Sequence, residues 1–277
     1  MPANHLTIVI FSTLVLFAAA ALPSAPKQNP LLEEGYRDMY NLRFEAAHQI
    51  FHRYEQQHPK DPMGPASDAA AYLFFAFDRL KILRSDFFTK NGNFSEKKEL
   101  KLDPNVKHDF EADLSRSKEL AESILQKSPN DTNALLATVT RIALHADFAA
   151  LIEKQNMQAL KEIKEAQREA DKLLAICSDC YDADLAIGVE NYLLSQKSAP
   201  VRWFLTLTGA QADRQVGIQK LRTVAEKGRY FRAYAKVLLA IADLRDGNKQ
   251  EAKQLLVELA REFPSNDLFK SELEKLT

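Results

Sequence analysis

Three features of the 277-residue sequence predict an all-α architecture of stacked helix pairs. Only 8 glycines occur, and glycine is disfavoured inside helices but favoured in the turns of all-β folds. Beyond residue 30 the apolar residues recur with a helical period, and no alternating strand bounded by hairpin turns is found. Prolines punctuate the chain at Pro59, Pro62, Pro65, Pro104 and Pro129, and after that only at Pro200 and Pro264, so 130–199 and 201–263 can hold long helices. Hydrophobic residues make up 46%, enough for a core.

The N-terminal segment stands apart. Leu6 to Leu22 is apolar apart from Thr7, Ser12 and Thr13, and Pro23 breaks it. The run is slightly short of the ~20 residues that span a bilayer. It fits the core of a signal peptide, with Ala19, Ala20 and Ala21 at the positions a signal peptidase reads. The expectation is a signal peptide over 1–21, or an uncleaved anchor, then an extended linker over 22–30 and a helical domain over 31–277. An exported chain, periplasmic or secreted, follows. The n-region carries only the terminal amine and His5 as positive groups, fewer than such signals usually hold.

Helices follow in order. Phe110, Leu114, Ala121, Ile124 and Leu125 share one face; so do Ala159, Ile163, Ala166, Ala170, Leu173 and Leu174, and so do Ala252, Leu255, Leu256, Leu259, Ala260 and Phe263. Three helices end alike, in Pro59-Lys60-Asp61, Pro129-Asn130-Asp131 and Pro264-Ser265-Asn266. In each, proline stops one helix and a small or polar pair is placed to cap the next.

These endings resemble the tetratricopeptide repeat, a helix–turn–helix unit of about 34 residues with small residues where helices cross and a terminal proline. With Pro59 as that proline, Gly35, Ala47 and Phe51 take the repeat's glycine, alanine and aromatic positions; with Pro264, Ala240, Ala252 and Leu256 do. Gly188 looks like the glycine of a further first helix. The resemblance implies a right-handed α-solenoid of about five degenerate pairs, near 31–61, 66–131, 132–180, 181–232 and 233–266, capped by a short helix at 267–276. Segments 84–104 and 196–212 look like insertions, the second carrying Pro200, Trp203, Phe204 and Gly209. The ordered series Asn191-Tyr192, Val201 to Leu205, Ala212-Asp213-Arg214, Gly217 and Glu226 to Tyr230 is similar to exported tetratricopeptide proteins of bacteria, acidobacterial ones in particular. It is distantly similar to the eukaryotic tetratricopeptide family that includes inclusion-body-clearance proteins. Such resemblance implies a binding scaffold and assigns no ligand.

Charge and motifs narrow the function. Lys+Arg number 37 and Asp+Glu 38, so the basic excess of a dedicated nucleic-acid binder is absent. No phosphate-binding glycine loop and no Gly-x-Ser-x-Gly elbow occurs, so no enzyme, cofactor or nucleotide site is expected. Cys177-Ser178-Asp179-Cys180 lacks two further zinc ligands and a βαβ context; it reads as an inter-repeat turn, open to oxidation to a local disulfide. His48 and His52 have metal-ligand spacing, but Gln49 and Phe51 break the His-Glu-x-x-His pattern, so they read as a solvated helix face and no metal is expected. Trp203 and Phe204 read as a plug between helix pairs, or as a segment lying over the groove.

In the repeat's geometry, first helices line the concave face. Register places Asp182, Leu185, Val189, Tyr192 and Leu193 there from the fourth pair, and Tyr234, Val237, Ile241 and Arg245 from the fifth. The expected function is a non-catalytic scaffold in the cell envelope that takes a peptide or protein in this groove. The alternative is a structural subunit of an envelope assembly. Membrane contact is expected only through an uncleaved N-terminal segment.

Overall fold

A computed structural model describes residues 29–89, 101–195 and 213–276. Among them every regular element is helical. The helices are α1 (Pro30–Tyr40), α2 (Phe44–Gln57), α3 (Met63–Arg79), α4 (Ser85–Thr89), α5 (Pro104–Leu125), α6 (Thr132–Leu151), α7 (Asn156–Ile176), α8 (Asp184–Ser195), α9 (Arg214–Lys227), α10 (Arg232–Asp246), α11 (Lys249–Glu262) and α12 (Asp267–Glu274). A 3-10 turn, Tyr181–Ala183, leads into α8.

The helices pack in adjacent pairs: α1 with α2, α3 with α5, α6 with α7, α8 with α9, α10 with α11, and α12 on α11. Their ends fall where the proline punctuation puts them. The polar residue after each proline turn accepts a backbone N–H of the next helix: Asp61 from Met63, Asp131 from Ala134, Asn266 from Leu268. Asn29, Asp103 and Asp213 cap α1, α5 and α9 in the same way.

Close crossings use glycine. A Cβ at Gly35 would lie far inside van der Waals contact with Cε1 of the fully buried Phe51. Where α8 crosses α9, a Cβ at Gly217 would lie 2.6 Å from the backbone nitrogen of Tyr192, and one at Gly188 would lie 3.2 Å from the carbonyl of Gly217. Backbone faces backbone there, so neither side can yield.

Helix α6 is the one helix, among the described residues, long and apolar enough to cross a membrane. Its apolar length is explained by packing: Leu136, Val139, Ile142, Phe148 and Leu151 all enter the core.

The ends of the array meet. Tyr36 stacks on Tyr230 at 5.1 Å and meets Phe231 edge-on, while Tyr40 packs on Phe263. The Tyr40 hydroxyl donates to the carbonyl of Tyr230, and the Asn266 amide donates to the carbonyl of Tyr40. A linear repeat array has only nearest-neighbour contacts. Here α1 touches the fifth pair as well as α2, so the stack closes on itself.

Cys177 and Cys180 are joined in a disulfide across the turn after α7. The insertion at 196–212, with Trp203 and Phe204, the apolar segment at 1–28 and residues 90–100 lie outside the described residues.

Candidate functional site

A cleft lies between the third, fourth and fifth helix pairs, walled by five helices. Asp147, Ala150 and Leu151 come from α6, Ile163 from α7, Val189, Tyr192 and Leu193 from α8, Leu221 from α9, and Tyr234, Leu238, Ile241 and Arg245 from α10. The cavity measures about 80 Å³. Two spaces of about 30 Å³ continue it past Asp147 and Tyr234, towards Leu185 and towards Phe74.

Six of the residues assigned to the groove from register line this one cavity: Val189, Tyr192, Leu193, Tyr234, Ile241 and Arg245. Leu185 is buried and lines the smaller spaces behind it. Val237 is half-buried and packs on the core from α10.

Asp182 has a different job from the one its register suggests. Its carboxylate is buried and accepts the backbone N–H groups of Arg229, Tyr230 and Phe231. Arg229 and Tyr230 lie in the turn just ahead of α10, and Phe231 is the residue that flanks its start. A side chain 47–49 positions upstream therefore pins the turn that leads into α10 and ties the fourth pair to the fifth, while Asp182 also lines the smaller space towards Phe74. Burial pushes its carboxyl above the ordinary range, against the pull of the three N–H groups.

Polar groups in the cleft are few and placed. The Tyr234 hydroxyl donates to Asp147 Oδ2 at 3.0 Å. Burial raises the Asp147 carboxyl to about 6, partly offset by that hydrogen bond. The Tyr192 hydroxyl is buried and has no hydrogen-bond partner. Leaving such a group unpaired costs ~1–3 kcal/mol, which an occupant carrying a matching polar atom would recover. Arg245 is exposed at the mouth. The wall is otherwise aliphatic.

A second polar constellation lies between α2, α3 and α5, where no site was expected. The reading of His48 and His52 as a solvated face holds for His52, whose side chain is 57% exposed, and needs correction for His48. His48 Nδ1 is 2.5 Å from Asp68 Oδ1, and only 14% of the His48 side chain is exposed. His52 Nε2 is 2.8 Å from Asp68 Oδ2. Pairing with Asp68 raises His52 to about 9. The Asp68 side chain is wholly buried; burial opposes its charge, but the two histidines outweigh burial and hold its carboxyl below the ordinary value. Glu55 and Asp113 complete the group: one carboxylate oxygen from each of Glu55, Asp68 and Asp113 lies within 4.8 Å of the others. Burial, then repulsion by Asp68 and Glu55, pushes Asp113 up to about 8.

The spacing that builds this group is visible in retrospect. His48, His52 and Glu55 stand at i, i+4 and i+7 on α2; Asp109, Asp113 and Arg116 repeat that spacing on α5. Asp68 supplies the centre from α3, and its polarity is hidden in the small-residue run Ala66-Ser67-Asp68-Ala69-Ala70.

No protein-family model and no curated protein matches this chain.

Proposed function

We propose that this chain is a non-catalytic, tetratricopeptide-type scaffold of the cell envelope, and that it takes one large apolar side chain of a peptide or protein partner into the α6–α10 cleft. The size of the cleft carries the reading. Drug- and metabolite-sized ligands occupy sites of ~300–1,000 Å³. A cavity of about 80 Å³ with an aliphatic wall suits a single leucine- or phenylalanine-like anchor. The unpaired Tyr192 hydroxyl and the Asp147–Tyr234 pair then offer hydrogen-bonding atoms to the backbone beside that anchor. The helix pairing, Gly35 against Phe51, and Gly188 at the α8–α9 crossing support the repeat assignment. The apolar 1–21 segment supports export.

A permanently packed structural subunit would need a broad apolar outer face. Among the described residues the only large apolar side chains well exposed are Met157 and Val257, on separate helices. That favours an exchangeable partner in the cleft.

Panning a displayed random-peptide library on the immobilised full-length chain tests the proposal. Enriched peptides should share a large aliphatic or aromatic anchor. Their binding should fall at least tenfold in Leu193→Asp, a half-buried position at the rim, with the melting temperature within a few degrees of the parent. Enrichment of sequences without an apolar anchor, or binding indifferent to Leu193→Asp, overturns it.

A further inference from the structure

The His–carboxylate cluster lies in the first two helix pairs, apart from the cleft. Its two buried carboxylates are built alike. Asp68 has one oxygen held by His48 Nδ1, and its other oxygen, Oδ2, lies 2.8 Å from His52 Nε2. Glu55 has one oxygen held by Arg116 at 2.6 Å, and its other oxygen, Oε1, is buried with no hydrogen-bond partner. The Glu55 side chain is only 7% exposed and that of Asp68 0%. Each is thus fixed through one oxygen by a neighbouring cationic or ring N–H group and presents the other. That is how outer-shell partners orient metal-binding carboxylates.

Geometry agrees. Two ligands of one first-row ion stand at most ~4.2 Å apart, twice a bond of about 2.1 Å. The carboxylate oxygens of Glu55, Asp68 and Asp113 lie within 4.8 Å of one another, so a small side-chain rotation closes the set. His52 Nε2 pairs with Asp68 Oδ2 at 2.8 Å, which places an imidazole nitrogen beside the three carboxylates. The fold makes room for the arrangement: a Cβ at Gly64 would lie 2.6 Å from Glu55 Cγ, so only glycine lets the Glu55 side chain cross the start of α3.

We propose that Glu55, Asp68, Asp113 and His52 Nε2 bind one divalent first-row transition-metal ion, Zn²⁺ or Mn²⁺, which staples the first helix pair to the second. Three carboxylates compensate the charge of a dication in a buried place. An imidazole nitrogen in the set selects these ions over Mg²⁺ and Ca²⁺, which take oxygen ligands. His48 and Arg116 are positioning residues.

The test is isothermal titration of the chelator-stripped full-length chain with Zn²⁺ and separately with Mn²⁺, alongside melting curves. One ion per chain should bind with a dissociation constant below ~1 µM for Zn²⁺, and the melting temperature should rise on loading, because an ion that binds only the folded state stabilises it. Asp113→Asn should abolish binding. In case that variant misfolds, His52→Ala changes a side chain that is 57% exposed; it should fold as the parent does and bind at least tenfold more weakly. His145→Ala, which removes the His145–Glu162 pair on α6 and α7, should bind unchanged. No saturable binding, binding equal in parent and His52→Ala, or binding lost in His145→Ala would each overturn the site. So would Mg²⁺ or Ca²⁺ binding as tightly as Zn²⁺.

Discussion

At the scale of single residues, Asp147 shows how burial sets the pH dependence of stability. It sits on α6 between Ala146 and Phe148, and its one hydrogen bond comes from Tyr234, 87 positions away. Its carboxyl is raised from an ordinary 3.8 to about 6. A carboxyl that is harder to ionise in the folded state makes folding most favourable while it is protonated. Its contribution is therefore full below pH ~3.8 and is lost as pH rises through about 6. The shift corresponds to at most about 3 kcal/mol, an upper bound because the group keeps some access to solvent through the cleft. Urea unfolding at a series of pH values should show the difference in stability between the parent and Asp147→Asn changing across pH 4 to 6 and flat above. A constant difference would mean that Asp147 titrates normally. Nothing local in the sequence marks this residue, since a lone aspartate in an apolar helix gains its meaning from a tyrosine on another pair. His48 and His52 teach the same lesson from the other side. Their spacing is visible in the sequence, but the partner that makes it matter, Asp68, stands on the next helix inside a run of alanines.

At the scale of helices, what is local is legible and what is distant is not. Proline stops one helix, and the side chain just after it caps the next, within a few residues; Asp61, Asp131 and Asn266 all do so. Crossing glycines are legible for a similar reason, because only glycine tolerates backbone contact. Gly217 and Gly247 separate the two uses of that residue. Gly247 ends α10 with φ 82, and a methyl group added there would meet nothing within 4 Å, so Gly247→Ala should cost only the left-handed backbone penalty, about 1 kcal/mol. Gly217→Ala would press a methyl group on the backbone of α8 and should cost about 3 kcal/mol. Urea midpoints should keep that order, and a reversal would deny the close crossing of α8 and α9. The turn after α7 is a milder case. Cys177 and Cys180 are three positions apart, and so short a loop restricts the unfolded chain little. Replacing both by serine should lower stability by no more than about 2 kcal/mol and leave the helical circular dichroism unchanged. Asp182 is illegible for want of distant information: the open N–H groups it satisfies belong to residues 229–231, and no local pattern announces them.

At the scale of the whole molecule, closure makes the stack behave differently from a string of repeats. In an open array the last helix frays without consequence for the first, because stability is a sum of neighbour contacts. Here Asn266 joins the two ends. It is 2% exposed, caps α12 through Oδ1, and donates through Nδ2 to the carbonyl of Tyr40 at the end of α1. Beside it, Asn41 Oδ1 accepts the N–H of Ser265, and Tyr36 and Tyr40 pack on Tyr230, Phe231 and Phe263. Asn266→Ala removes a helix cap and leaves the Tyr40 carbonyl without this side-chain donor, together about 3 kcal/mol. If the two ends share one cooperative unit, the loss spreads to both. Amide exchange in α1 and α2 should then accelerate along with that in α10 to α12, while Lys270→Ala, an exposed change on α12, should leave both untouched. Faster exchange confined to 249–276 would show that the contact between the ends carries no cooperativity. The cleft would then depend on its own five helices alone, since α1 would no longer help to hold α10, with Tyr234 and Ile241, against α6 and α8.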